Sequence, residues 1–412
     1  MTTKAKHIID FDHHSPELRD HNTEVFTSLM YGDGGCPMGW SAKHDGFWAI
    51  WGYDALYDAV QDWETFSSGH SAGCPKGVPS SLYAEPLIPI DLDGPEQQDF
   101  RKVVLSWFNP GHAKSMKERV EEMCDDLIDE FIERGEAELS YELFTALPAM
   151  FTLEMLDWDS SRWPEWVEWV HAMIHDSVVD PEKSMRGINN LYGNIGQEIA
   201  RRREHLGDDL FSDMMRTPMN DRLLTDAELT NFALLVLLGG MDTTSGTTGN
   251  SLLLIDKDLE LRQQMIDNID SMPKIIEEFL RIAGPGGGLF RRLTKDVEFH
   301  GEQMSEGERV LMMYWAANRD PSAFPDPEKV DIFRTNNRHM AFGLGPHRCL
   351  GSHHARLMLS TLFRGVFTRL PDFQVQWDGV ERFEDCGSVY AVRHLPVTFT
   401  PGERKKPRQA GA

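Results

Sequence analysis

Near the end of the chain, AFGLGPHRCLG at 341–351 sets Cys349 among Gly343, Gly345 and Gly351, with Phe342 and His347 close by. A cysteine does its chemistry as a thiolate. A free thiol titrates near pH 8.5 and is mostly protonated at neutral pH, so a metal must take the proton. The text that follows, LGSHHARLMLSTLF, reads as a helix whose first amides and dipole favour negative charge at the sulfur. Glycines remove Cβ atoms where such a loop turns tightly or lies against a flat surface. Two other readings stay open on these residues alone. One is a buried structural cysteine in a Gly-rich turn; the other is zinc, because His347, Cys349, His353 and His354 are close in sequence, although no second ligand pair has convincing spacing.

Three more groups could carry chemistry or position it. In LLGGMDTTSG, Gly239, Gly240, Asp242 and Thr243 interrupt an apolar helical run. An acid beside an alcohol is costly to bury without partners, so the pair reads either as a proton-delivery device or as a kinked core helix whose Thr hydroxyls bond back to their own carbonyls. In EEFLR, Glu278 and Arg281 stand three apart and share a helix face, with Arg334 of DIFR further on. Gln97 and Arg101 lie four apart on one face of another helix, and Arg291 and His347 add two more basic groups. Arginine binds carboxylates bidentately, which suits it to an anionic cofactor, although each base alone also reads as a solvated surface charge.

These groups need a large scaffold. The chain has 412 residues, enough for a large domain or two lobes sharing a core, and 41% hydrophobic with 26% charged residues places it among folded globular proteins. No internal repeat or low-complexity linker divides it, so 1–412 is predicted to fold as one unit. Short β-like pieces such as GFWAIWG come early. From Gln98 to about Leu280 the pattern is helical; its longest stretch starts at Thr225 and Glu228, spaced as a capping box, and runs through the Asp242 region for roughly 50 Å. After Pro285 the text turns β-like, returns to helix after Cys349 and ends in short strands. The expected fold is mainly α with a smaller β portion: a β-rich lobe from about 45–70, 285–335 and the C-terminal strands, and a helical lobe from about 98–284 and 349–370. No apolar run is long enough to span a bilayer and the first residues lack a secretory signal, which predicts a cytoplasmic address. Cys36, Cys74, Cys124, Cys349 and Cys386 are odd in number and scattered, which predicts free thiols. A net charge of −25 argues against nucleic acid or an anionic membrane as a general partner.

The pattern Phe, Gly, any, Gly, any, His, any, Cys, any, Gly resembles the cysteine-ligand loop of the cytochrome P450 family, and Phe342, Gly343, Gly345, His347, Cys349 and Gly351 fill it. The resemblance runs from about residue 50 to 400. It implies the cytochrome P450 fold, with haem b between the long central helix and the cysteine loop and Cys349 as the iron ligand. It implies that Thr243 positions dioxygen while Asp242 relays protons, and that Gln97, Arg101, Arg291 and His347 hold the haem propionates, with Gln97 standing where many members have His. Gly351 would clear the ring, and Glu278, Arg281 and Arg334 would lock the segment that carries the cysteine. Positions used for substrate in the family correspond to Leu87, Ile90, Leu235, Gly239, Gly287, Gly288, Leu289, Ser388 and Val389; the run Gly286–Gly288 reads as volume for a bulky substrate or as a flexible loop entry.

DGPEQQDFR and the FHG after Arg291 resemble the bacterial camphor-hydroxylating type, but Glu85 replaces the substrate-binding tyrosine of that type, which argues against camphor. The implied activity is monooxygenation of an apolar terpenoid or aromatic-like small molecule. Dioxygen is the co-substrate, and electrons come from a separate ferredoxin or flavodoxin with its NAD(P)H-dependent reductase. Such a carrier, usually acidic, would dock on a basic patch drawn from Arg101, Lys102, Lys114, Lys117, Arg348 and Arg356. A peroxide-driven haem-thiolate peroxygenase and a non-catalytic haem sensor are the alternatives.

Overall fold

The structure, a computed structural model, describes residues 6–32, 35–69 and 86–407. Its β portion centres on a six-stranded sheet in the order Ile8–Ile9, Met38–Ser41, Phe47–Ile50, Arg309–Met312, Leu289–Leu293, Phe66–Ser67. Phe47–Ile50 lies in the middle, parallel to Arg309–Met312 with Trp48 opposite Val310, and all four of its residues are buried. A strand covered on both faces reads as an unbroken apolar run, which is why FWAI shows no polar alternation. Its side chains still alternate. Trp48 and Ile50 join Val310 and Met312 in one core, while Phe47 and Ala49 join Leu311 and Trp51 in another on the opposite face.

The helical portion has its own large core, with Lys117–Phe131, Ala146–Met155, Trp163–His175, Met272–Ala283 and Ser352–Arg369 among its elements. The expected capping box is present: Glu228 N–H donates to Thr225 Oγ1 (3.3 Å) and Thr225 N–H to Glu228 Oε2 (2.7 Å). The long helix is not continuous. It runs as Asp226–Met241 and resumes as Thr243–Asp256, broken at Asp242. The break follows the glycine pair, which weakens helix at that point, and the Thr243 hydroxyl donates back to Gly239 O (2.8 Å), a bond that bends helices. Gly240 also has a packing reason: a Cβ there would come within 2.4 Å of Thr152 Oγ1 on the neighbouring Ala146–Met155 helix.

Behind the cysteine loop lies a buried ionic lock. Arg281 donates to both oxygens of Glu278 (2.9 and 2.7 Å), and Arg334 Nε and Asn337 Nδ2 add bonds to the same carboxylate (3.1 Å each). The remaining Arg281 donors reach the carbonyls of Asn318 and Pro327 (2.9 and 2.7 Å). Glu278 and Arg281 are fully enclosed, so removing one charge strands the others. Glu278→Gln is therefore expected to cost about 3–5 kcal/mol, read as a lower urea midpoint.

Candidate active site

Cys349 follows the turn Gly345–His347 and precedes the Ser352–Arg369 helix. Its own N–H donates to Phe342 O (2.8 Å), which closes the loop on itself. Gly343 and Gly345 both sit at φ +62°, where a side chain is strained, and a Cβ on Gly345 would also meet Val60 O at 2.9 Å. At Gly351 a Cβ would find nothing nearer than Cys349 Sγ, 4.0 Å away, so the protein itself does not demand glycine there. The Cys349 side chain is accessible to water, yet protein surrounds it closely enough for burial to push its thiol pKa up. Its sulfur is thus open to a ligand while protein crowds around it. Opposing that burial are the Gly351 N–H and the charges of Arg101, Arg356 and Arg348. In the protein alone burial prevails, so thiolate forms only when a metal takes the place of the proton.

The Gly94–Val104 helix holds the loop from the side. Gln97 Nε2 donates to Pro346 O and, one turn on, Arg101 donates to Arg348 O, both at 2.8 Å. Gln97 is 1% exposed and its Oε1 has no hydrogen-bond partner among the described residues. His347 bonds Ser68 Oγ (3.0 Å), with Asp93 at 3.8 Å, too far for a hydrogen bond. Burial lowers its pKa more than the Asp93 carboxylate raises it, and the charges of Arg291 and Arg101 add to the lowering, so these three bases share one neighbourhood. Arg291 is buried, donates only to Phe290 O (2.8 Å), and has no carboxylate within ion-pair distance among the described residues. Phe342 lies under the Arg356 guanidinium, 4.5 Å from its ring centre, and Arg356 binds Glu277 through both oxygens (2.6 and 2.8 Å).

Across the broken helix, where Leu234, Leu237, Met241, Asp242 and Thr244 are buried, Leu235 and Thr243 are partly accessible and Gly239 is exposed. They repeat every four residues, so one face of an interior helix borders open space, and a Cβ on Gly239 would touch nothing within 4 Å. The Thr243–Asp256 helix packs against the Ser352–Arg369 helix, which ties this face to the cysteine loop.

Asp242 has partners that sequence reasoning missed. His175 Nε2 lies 2.9 Å from its Oδ2, while His171 Nε2 stands 3.3 Å from Oδ1 in an ion-pair contact without hydrogen-bond alignment. The other nitrogen of His175 faces Asp385 O at 3.0 Å. A carbonyl and a carboxylate both only accept, so both ring nitrogens must carry protons and His175 is an imidazolium. Its ring stacks on Phe383, with centroids 3.7 Å apart. Burial alone would lower the His175 pKa, but the Asp242 charge outweighs it and the net shift is upward. Burial likewise opposes ionisation of Asp242, and the charge of His175 with the contact from His171 more than reverses it, holding the carboxyl far below its usual range. The signal in the sequence was HAMIH, two histidines four apart at the end of an apolar helix and hence on one face.

Of the remaining expected substrate positions, Leu87 is buried and Ile90 partly so. Leu289 is exposed, and Ser388 and Val389 run beside the glycine run through a bridge from Gly286 to Val389. Gly287 and Gly288 do not supply volume: a Cβ would come within 2.6 Å of Gly387 O at the first and 2.7 Å of Met312 O at the second. Close backbone approach explains these two, whereas a Cβ on Gly286 would meet nothing within 4 Å, so only there does the run leave open space. Cys74 and Glu85 lie outside the described residues; the four cysteines described are free. No helix among the described residues is long and apolar enough to cross a membrane.

Comparison with known proteins decides the family. A family profile described as Cytochrome P450 matches residues 253–386. A steroid C26-monooxygenase of Mycobacterium tuberculosis (strain CDC 1551 / Oshkosh) is 34% identical over 358 residues, covering 85% of this chain and 94% of the relative. The chain belongs to the cytochrome P450 family. A mycinamicin IV hydroxylase/epoxidase of Micromonospora griseorubida is 30% identical over 69% of this P450 and 73% of that protein. In fold, the P450 is similar to CYP109Q5 from Chondromyces apiculatus, with a TM-score of 0.84 and 26% identity over 96% and 99% of the two chains.

As a cytochrome P450 the chain is a monooxygenase that binds haem b and requires dioxygen, a redox partner and an organic substrate. Its residues fit that cofactor. A sulfur donor is accessible, and a buried arginine without a carboxylate partner among the described residues lies near enough to His347 for its charge, like that of Arg101, to act on it, a donor set that suits a dianionic macrocycle.

Proposed function

We propose that this cytochrome P450 hydroxylates an apolar, hydrocarbon-rich small molecule of terpenoid or aromatic type, using electrons delivered singly by a separate ferredoxin or flavodoxin and its NAD(P)H-dependent reductase. The observation that carries the reading is Cys349, accessible on a loop clasped by Gln97 and Arg101 at the start of the Ser352–Arg369 helix. Bound haem b would supply dioxygen activation, and the Cys349 sulfur would hold its iron.

The chain's own residues do the rest. Cys349 gives up its proton on ligation, and the Gly351 N–H and nearby arginines stabilise the resulting charge. Arg101, Arg291 and His347 hold the propionates, with Gln97 fixing the loop between them, and Phe342 and Gly351 border the ring. Leu235, Gly239, Leu289, Ile90, Leu87, Ser388 and Val389 wall the substrate side, and Gly287 and Gly288 let its backbone segments meet. A mainly aliphatic wall favours an apolar substrate, and the steroid named for the Mycobacterium tuberculosis relative is of that kind. Thr243 holds its hydroxyl proton on Gly239 O and keeps its lone pairs free to accept. The proton is on His175, whose imidazolium clamps ionised Asp242; Asp242 would accept it and pass it on, one residue from Thr243.

The docking patch is smaller than its sequence suggests. Lys102 pairs with Asp99 (2.7 Å), Lys117 with Glu121 (3.6 Å) and Arg356 with Glu277, whereas Lys114 and Arg348 are exposed with no carboxylate partner among the described residues. Arg101 is half-buried behind Arg348. Arg348 and Lys114 are then the charges that meet an acidic carrier against a net −25.

The test is a screen of terpenoid and aromatic compounds for a binding-induced change in the haem spectrum, followed by turnover with ferredoxin, reductase and NADH under labelled dioxygen. A hydroxylated product carrying one labelled atom is expected. Turnover with peroxide and none with the electron-transfer system would overturn the reading. Asp242→Asn removes the counter-charge of His175, and turnover is expected to fall about 100-fold with haem content retained, the low end of what placed proton delivery contributes. Unchanged turnover with a normal solvent isotope effect would refute the assignment of Asp242.

A further inference from the structure

Away from the haem site, the segment Phe11–Ser15 meets the turn after Met38–Ser41 in a cluster of four titratable side chains. Asp12, His13 and His44 offer ligand atoms that all lie within 4.8 Å of one another. His44 Nε2 is 2.7 Å from Asp12 Oδ1. The His13 ring packs beside both His14, 3.9 Å away by centroid, and His44, 5.1 Å away, and those two are 5.3 Å apart. Phe47 and Phe290 close the other sides edge-on at 5.4 and 5.3 Å.

His13 is the anomaly. It is 3% exposed, and neither ring nitrogen has a hydrogen-bond partner among the described residues. An imidazole always carries at least one donor, and a buried polar group left unmatched costs about 1–3 kcal/mol. The surrounding scaffold is well satisfied. Asp12 accepts from His14 N–H (2.9 Å), Ser41 Oγ donates to Phe11 O (2.6 Å), and Arg309 donates to the carbonyls of the His44 turn. His14 shows a related pattern: Nδ1 is held by Asp385 Oδ1 (2.8 Å), while its buried Nε2 has no partner among the described residues. A carboxylate on one ring nitrogen with the other left free is how metal-binding histidines are oriented.

We propose that Asp12, His13 and His44 form a second metal site, separate from haem, for a divalent transition-metal ion of the zinc class. Two imidazoles and one carboxylate are the donor set such an ion prefers, whereas calcium and magnesium call for oxygen alone. Ligand atoms that lie within 4.8 Å of one another need only small shifts to meet a tetrahedral ion, Asp12 and His44 parting from their 2.7 Å contact, and the fourth position falls to water. The ion would tie the N-terminal segment to the His44 turn and, through His14 and Asp385, to the turn that leads into Ser388 and Val389.

The test uses the full haem-loaded chain, stripped with a chelator and titrated calorimetrically with zinc. One equivalent is expected to bind, and zinc should raise the thermal midpoint. Asp12→Asn and His44→Asn should each weaken binding at least about 100-fold, since losing a ligand costs no less than losing its supporting shell. His44 sits at φ +50°, a conformation asparagine tolerates, so His44→Asn should keep the turn, and an unchanged haem spectrum checks the fold. His353→Gln, at a partly exposed histidine elsewhere, should bind as the parent does. The proposal is overturned if the parent binds no zinc, or if both variants bind it with parental affinity and stoichiometry.

Discussion

Replacing Cys349 by serine is expected to reduce electron-driven oxygenation at least about 1,000-fold while leaving a folded chain. The fold should survive because the loop is held by backbone and by neighbours rather than by the sulfur. Cys349 N–H bonds Phe342 O, and Gln97 and Arg101 grip the carbonyls of Pro346 and Arg348. Activity should not survive, because a serine hydroxyl has no accessible anion at neutral pH and cannot supply the thiolate on which dioxygen activation in this family depends. Removing the central group of an active site that acts as a unit costs several orders of magnitude. Product formation against haem content measures it, and a Cys349→Ser enzyme with parental turnover per haem would remove Cys349 from the site.

Thr243→Ala should act differently. Haem content and substrate binding should stay close to the parent, because among the described residues the Thr243 hydroxyl bonds only back to Gly239 O and alanine is the better helix former. What is lost is the hydroxyl beside the buried Asp242–His175 pair, the position from which a proton would be handed on. NADH consumption should continue while the share appearing as product falls, with peroxide making up the difference. General-acid placement is worth about 100-fold or more, so most of the coupling should go. Normal coupling in Thr243→Ala would contradict the role assigned to it.

The cysteine loop was legible because its requirements are local. Two positive-φ glycines, a ligand and a helix start lie within a dozen residues, and the loop pattern carries all of them. The Glu278–Arg281 pair was legible for the same reason, with Arg334 expected beside it, and the geometry adds Asn337 as a further partner. What could not be read were long-range partners. Asp242 and His175 are 67 residues apart on different helices, and nothing near Asp242 announces an imidazolium. Gly287 and Gly288 looked like pocket volume because the backbone they approach, Gly387 and Met312, comes from elsewhere in the chain. The long helix read as one element because helix-forming text resumes after the interruption at Gly239–Thr243; the carbonyl taken by Thr243 and the glycine pair explain why it breaks at Asp242. Arg356 read as a free cation because Glu277, its partner, lies 79 positions away.

The most direct test of the central claim is the reduced carbon-monoxide spectrum of the haem-loaded parent chain beside that of Cys349→Ser. The account expects the red-shifted band of a thiolate-ligated haem in the parent and its loss in the variant. A parent spectrum of the imidazole-ligated type, or a thiolate band that persists in Cys349→Ser, would contradict it.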